Sequence, residues 1–411
     1  MVSVCTIELA PTAGTVKAIR RIARGAYVLE SCPEEGARNV APGRCANRDG
    51  PRIMSGTKPD IRGMSLDEMG TLVESLGEPS YRAKQMAEWT YQRGARDFSE
   101  MTNLSKALRS SLAERAKLAV ARVVESYRSE QDGTEKMLLE YGDGARIEAV
   151  LLRDGGRVTG CVSTQVGCRF GCAFCATGTM GFRRNLTAAE IVAEIIALRE
   201  KAGPDRLNNL VFMGMGEPLD NYDEVLKAVR IANAGWGLGI GARRITISTA
   251  GLVPGILRLA EEGLQVRLAV SLNAPTQELR EGLMPIAERY PLHRLVGAIE
   301  RYSEATGRRA SLEYVLLRDL NDGPEHADDL GKLARRLLCK VNLICYNQTT
   351  DSEYAPPADR TVEQFLARLR KRCPTVVRRV SRGGDISAAC GQLCVPTGRA
   401  PRGEADGEAQ R

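Results

Sequence analysis

The chain has 411 residues, 43% of them hydrophobic and 27% charged, with 58 Lys and Arg against 51 Asp and Glu for a net charge of +7. That length can bury a large core, and the composition is that of a globular chain rather than a fibrous or disordered one. No run of 18 apolar residues occurs, which argues against a membrane-spanning helix and for no membrane partner. The opening "MVSVCTIELAPTAG" lacks a basic head and a long apolar stretch, so no secretory leader and a cytoplasmic location are expected. Twelve cysteines are too sparse for a disulfide scaffold, and only two histidines, His293 and His326, are available for catalysis. Basic charge is clustered. Residues 366–384 hold seven Arg and Lys with no acid, and residues 151–184 hold five against Asp154. Such clusters suit a polyanion or a plain solvated face.

Residues 1–53, rich in Gly, Pro, Arg and Ala without sustained periodicity, are expected to be a disordered extension, with Met54 a natural start. Residues 54–117 read as a small helical domain. "SLDEMGTLVESLG" has Ser65 as cap with Glu68 three residues later, and "PSYRAKQMAEWTYQRG" and "NLSKALRSSLAERAKL" continue at helical spacing. Residues 118–160 alternate as strands around turns at Gly142–Gly144 and Gly155–Gly156. From 161 to 394 apolar strands and amphipathic helices alternate: "LVFMGMG" before "NYDEVLKAVRIANA", "RITISTAG" before "VPGILRLAEEG", and so on to "TVVRRVSRG". About six such units predict an α/β fold, an incomplete (β/α)6 barrel of the TIM type. Polar residues fall at the strand ends, among them Glu217, Ser248, Ser271, Asn273, Asp319 and Asn347, where barrels build their sites. The tail 395–411 is expected to be disordered.

The stretch "GCRFGCAFCATGTMGFRRN" packs Cys168, Cys172 and Cys175 into eight residues. Three thiols in a Gly-rich loop after a strand suit a soft metal centre. A four-iron cluster with one iron left open, a zinc site borrowing a distant cysteine, and three buried structural thiols are all compatible with that spacing. On residues alone Glu148, an acid on an apolar strand, could equally face solvent. Cys161 and Cys390 would by default be buried structural thiols.

C-x3-C-x2-C with Phe174 before the last cysteine resembles the signature of the radical S-adenosylmethionine superfamily. "GMGEP" (Gly214–Pro218) resembles its amino-group-binding turn. Together with "CVSTQVGC", "TISTAGLVPGI", "SLNAP" and "GDISAACGQL", the chain from about Lys58 to Leu393 is similar to the dual-specificity adenine-carbon-2 RNA methyltransferases of the RlmN type. The resemblance implies a radical SAM barrel holding one 4Fe–4S cluster on Cys168, Cys172 and Cys175. It implies S-adenosylmethionine used twice per turnover and bound by Gly216, Glu217, Ser248, Ser271, Leu272, Asn273 and Asn347. Family members often carry His where this chain has Asn273, so binding with altered detail is expected. It further implies that Cys390 is methylated and carries the methyl group to carbon 2 of adenine. Glu148 accepts the displaced proton, and Cys161 releases product by forming a transient disulfide. The implied substrates are 23S rRNA, in the peptidyl transferase centre, and the tRNA anticodon loop. RNA binding is assigned to the helical domain, electrons to flavodoxin or ferredoxin, and the enzyme to a monomer. The alternatives are the related carbon-8 methyltransferase, linked to antibiotic resistance, and a non-catalytic RNA-binding protein with structural zinc. Cys394 is an expected bystander, and Cys339, Cys345 and Cys373 read as packing residues.

Overall fold

The computed structural model describes residues 58–203, 207–337, 339–349, 352–373 and 375–395, so the expectations for 1–53 and for the tail after Val395 lie outside the described residues. Helix α1 (Leu66–Ser75) begins with the reciprocal cap read from the sequence: Ser65 Oγ accepts from Glu68 N at 3.2 Å, and Glu68 Oε2 from Ser65 N at 2.7 Å. Helix α2 (Arg82–Ala87) runs into a π-type turn at Glu88–Gln92, and α3 (Lys106–Arg115) is capped by Ser105. Met69, Val73, Met86, Tyr91, Leu108 and Leu112 face inward from these helices and are almost fully buried. Each contributes roughly 1.5–3 kcal/mol by leaving water.

Strands β1 (Arg122–Arg128), β2 (Glu135–Glu140), β3 (Arg146–Asp154) and β4 (Arg157–Cys161) follow as an antiparallel meander. A separate hairpin, β5 (Gln165–Gly167) and β6 (Phe182–Asn185), encloses the short helix α4 (Ala176–Thr179) and precedes α5 (Ala188–Ala202). Alternation then sets in with β7 (Leu207–Phe212), α6 (Tyr222–Asn233), β8 (Ile245–Thr249), α7 (Val253–Glu261) and β9 (Arg267–Ser271). The chain continues through α8 (Gln277–Leu283), α9 (Ile286–Arg289), α10 (Leu292–Thr306), β10 (Ser311–Leu316), α11 (Pro324–Leu337), β11 (Lys340–Cys345), α12 (Asp359–Arg370) and β12 (Val376–Arg379). Among the described residues no helix is long and apolar enough to cross a membrane.

Ten strands form one sheet in the order β1-β2-β3-β4-β7-β8-β9-β10-β11-β12. Strand β4 is antiparallel to β3 and parallel to β7, which joins the meander and the α/β region into a continuous sheet. Strands β4 and β7 to β12 run parallel as a partial barrel of the TIM type; β7 to β12 are the six strands expected, and β4 adds a seventh. Side chains on a strand alternate between faces, and directly paired residues share a face. Leu210, Ile245, Leu268, Leu312 and Val341 therefore lie on one side, nearly all at zero exposure under the helices. The opposite side carries Cys161, Val211, Ser248, Ser271, Glu313 and Asn342. One face makes the core, and the other is free to make chemistry.

Candidate active site

The chemical face extends into the meander. Glu148 pairs with Leu138, and Val150 pairs with both Lys136 and Cys161, so Glu148, Lys136 and Cys161 share one side of the sheet. Lys136 and Glu148 are diagonal neighbours there, with Nζ 3.0 Å from Oε1. Glu148 is 2% exposed, which answers whether this acid faces solvent. Burial raises its pKa, and Lys136 and the Cys394 N–H, which donates to Oε2 at 2.9 Å, oppose the rise. A hydrogen-bond chain fixes the surrounding backbone. Ser163 Oγ donates to Glu148 O (2.8 Å) and accepts from Met215 N (2.8 Å), while Ser163 N donates to Glu194 Oε1 (2.9 Å).

The cysteine loop sits on the β5–β6 hairpin. At Gly167, with φ 78°, a Cβ would stand 1.8 Å from Gly181 O, so only glycine allows the two arms to meet. Cys168 N donates to Gly181 O at 3.0 Å, Cys175 N to Cys172 O at 3.1 Å, and Ala173 N to Leu283 O at 3.0 Å, which docks α8 on the loop. All three thiols are half-buried and free. Burial pushes Cys168 up to about 12 and Cys172 well above its ordinary value. Among the described residues no three Cys, His, Asp or Glu stand close enough to hold a single metal ion. Beside the loop, Arg280 on α8 is fully buried. Its Nη2 donates to Ala250 O (2.6 Å) and Ser271 O (3.3 Å), while Nε and Nη1 have no partner. A buried cation with two nitrogens unpartnered, close enough to sense Cys172, fits an anionic centre better than a set of packed neutral cysteines.

Gly216 and Glu217 face this loop across Gln165. Gly216 has φ 94°, and a Cβ there would lie 2.5 Å from Gln165 Cβ. Glu217 N donates to Gln165 Oε1 at 2.9 Å, and its carboxylate accepts from Ala250 N (2.6 Å) and Leu219 N (3.1 Å). Burial nevertheless raises Glu217 to about 7. Ser248 and Ser271 stand half-buried on the chemical face, and Leu272 is buried with its N–H on Glu313 O at 3.0 Å. Asn273 adopts the left-handed conformation (φ 57°), which Asn tolerates. Its Oδ1 accepts from Val315 N (3.0 Å) and its Nδ2 points to Met284 Sδ (3.4 Å), so this amide is engaged within the scaffold.

The segment bearing Cys390 is pinned over the same face. Asn347 Nδ2 donates to Cys390 O at 3.1 Å, Ala176 N to Gly391 O at 2.8 Å, and Thr177 Oγ1 to Leu393 O at 2.6 Å. Cys390 is exposed by surface area, yet burial by the surrounding atoms raises its thiol. Charges on Cys161 and Cys390 sense each other, as do those on Cys390 and Cys175. Residues from distant stretches of the chain thus converge. Cys339 and Cys373 are buried and Cys345 half-buried. Sequence reading passed over Lys136, Ser163, Glu194 and Arg280. The available signals were a lysine two positions from Leu138 on an apolar strand and a glutamate within "AAEIVAEIIAL".

The Radical SAM superfamily model matches residues 162–330, and that of the ribosomal RNA large subunit methyltransferase N-terminal domain matches residues 59–118. A probable dual-specificity RNA methyltransferase RlmN of Symbiobacterium thermophilum is 48% identical over 336 residues, 81% of this chain and 90% of that protein. This chain belongs to the RlmN family of radical SAM RNA methyltransferases. The dual-specificity RNA methyltransferase RlmN of Oleidesulfovibrio alaskensis is 46% identical, over 83% of this chain and 98% of that protein. The crystal structure of a radical SAM methyltransferase from Sphaerobacter thermophilus matches with a TM-score of 0.79 at 45% identity, covering 82% of this chain and 99% of that one. An RlmN-family enzyme works with a 4Fe–4S cluster and S-adenosylmethionine, and the trio of thiols beside a guanidinium with two unpartnered nitrogens fits that demand.

Proposed function

We propose that this RlmN-family enzyme methylates carbon 2 of adenine in 23S rRNA, at the peptidyl transferase centre, and in the tRNA anticodon loop. Carbon 2 lies between two ring nitrogens and is electron-poor, so direct attack on an electrophilic methyl group has no driving force. Cluster and S-adenosylmethionine together supply a radical able to take hydrogen from an unactivated methyl group. Cys168, Cys172 and Cys175 hold the cluster. Gly216 and Glu217 meet the amino group of S-adenosylmethionine, and Ser248, Ser271, Leu272, Asn273 and Asn347 line the rest, Asn273 through the strand-end backbone it shapes.

Cys390 carries the methyl group and becomes bonded through it to carbon 2. Glu148, held beside Cys394 N at 2.9 Å, takes the proton from that carbon. The Cys161 thiolate then attacks Cys390 sulfur, and the sulfur–carbon bond breaks with its electron pair left on the departing carbon. That carbon takes up a proton to become the new methyl group, and a disulfide remains. The observation that carries this reading is the shared sheet face of Glu148 and Cys161 under the pinned Cys390 segment. Residues 54–117 serve RNA binding, 118–160 carry the base and 161–394 form the radical SAM domain. A small electron-transfer protein such as flavodoxin or ferredoxin supplies electrons, and the enzyme acts as a cytoplasmic monomer. Mass spectrometry of RNA after reaction tests the substrate assignment. New 2-methyladenosine in both RNAs is expected, and methyl groups at carbon 8 instead would transfer the chain to the resistance-type reaction.

A further inference from the structure

Lys136 has no role in the chemistry just described, yet it is the cation closest to the base. Its side chain is 10% exposed, and burying an ammonium is costly unless every donor finds a partner. All three donors do. One faces Glu148 Oε1 at 3.0 Å, one donates to Ser387 O at 3.2 Å, and the third side faces the Tyr127 ring, 5.6 Å from its centroid. The sheet dictates two of these contacts. Tyr127 pairs directly with Lys136 across β1 and β2, and Glu148 is its diagonal neighbour on β3. The remaining contact is of another kind, because Ser387 lies three residues before Cys390. Glu148 reaches the same segment from its other oxygen, through Cys394 N at 2.9 Å. Acid and ammonium thus grip the segment on both sides of Cys390.

We propose that Lys136 is a positioning residue of the methyl transfer, pairing with Glu148 and tying it to the segment that carries Cys390. This rests on the reading of Glu148 as proton acceptor. A carboxylate has about four lone-pair sites, and the contacts to Lys136 and Cys394 N use two, so oxygen remains for a proton from the base. The pairing has a directional consequence. Burial raises the pKa of Glu148 and Lys136 lowers it, so losing the ammonium shifts the group towards its protonated form, which cannot accept a proton. Around it, Tyr127 is raised by its hydrogen bond to Glu125, and Glu194 and the Cys161 and Cys390 thiols are raised by burial; these groups and Glu217, raised to about 7, are common to wild type and Lys136 variants.

The test uses the cluster-loaded full-length enzyme with Lys136→Gln, which keeps a donor for Ser387 but no charge, and Lys136→Arg, which keeps both. Methylation is followed between about pH 6 and about pH 9. The acid limb should move up by about one pH unit in Lys136→Gln, a roughly tenfold loss on that limb that fades at high pH, and return in Lys136→Arg. Loss of equal size at every pH, or an unmoved limb, overturns the proposal while leaving the role of Glu148 intact. A wild-type enzyme indifferent to Glu148→Gln would instead remove the reading beneath it. A measurement free of any Lys136 variant guards against misfolding. Infrared difference spectra of wild type against Glu148→Gln should show an ionised carboxylate at neutral pH, and a protonated carboxyl band overturns the proposal.

Discussion

Glu194 offers a sharp test of the electrostatics beneath the site. It is fully buried on α5, where Oε1 accepts from Ser163 N at 2.9 Å and Oε2 has no partner. Burial holds its pKa well above the ordinary 4.5, so the folded enzyme keeps this proton to higher pH than the unfolded chain does. In the unfolded chain the group ionises at its ordinary value, and between the two titrations the folded state binds one proton more. Stability from this residue is therefore complete below the unfolded pKa and is lost as pH rises, at about 1.4 kcal/mol per pH unit until Glu194 itself ionises. Glu194→Gln keeps an oxygen for Ser163 and has nothing to titrate. Contributions from Glu148 and Glu217 cancel in the comparison. Anaerobic urea unfolding should show Glu194→Gln gaining on wild type as pH rises above the ordinary carboxylate range, by up to about 1.4 kcal/mol per pH unit, a large share of a typical 5–15 kcal/mol. A gap that stays constant with pH would refute the argument from burial.

Replacing Cys168, Cys172 or Cys175 with Ala should bring iron content and visible absorption to background in each variant. Any of the three that retains about four irons per chain is not a ligand. Gly216→Ala forces a side chain into a left-handed conformation and against Gln165 Cβ at 2.5 Å. The expected cost is about 2–5 kcal/mol in unfolding experiments, with weaker S-adenosylmethionine binding by calorimetry. Wild-type values for both would mean the turn is more forgiving than its geometry.

Local signals in the chain were legible where one short stretch determines the outcome. The Ser65 cap, the helices from Tyr222 to Arg370 and the thiol loop follow from residues within a few positions of each other. Strand register does not, and register is what unites Lys136, Glu148 and Cys161 on one face. Arg280 lay hidden for the same reason: its significance depends on α8 docking against a loop far earlier in the chain. The role of Asn273 shows a further limit. A polar residue at a strand end looked ready for a ligand, but the left-handed backbone turns its amide towards Val315 and Met284. Strand β4 escaped the count of parallel strands because its local pattern continues the meander, and only its register on β7 joins it to the barrel.

The division of labour between the two thiols is the centre of the account, and one comparison reaches it. Cys161→Ala should still become methylated on Cys390 and still attack adenine, then stall with RNA covalently attached, because the thiol that cleaves the link is gone. Cys390→Ala should form no link and no product. Denaturing gels of each variant, purified with and without ribonuclease treatment, read this directly. A ribonuclease-sensitive upward shift is expected for Cys161→Ala alone. RNA trapped on Cys390→Ala, or none on Cys161→Ala, would contradict it.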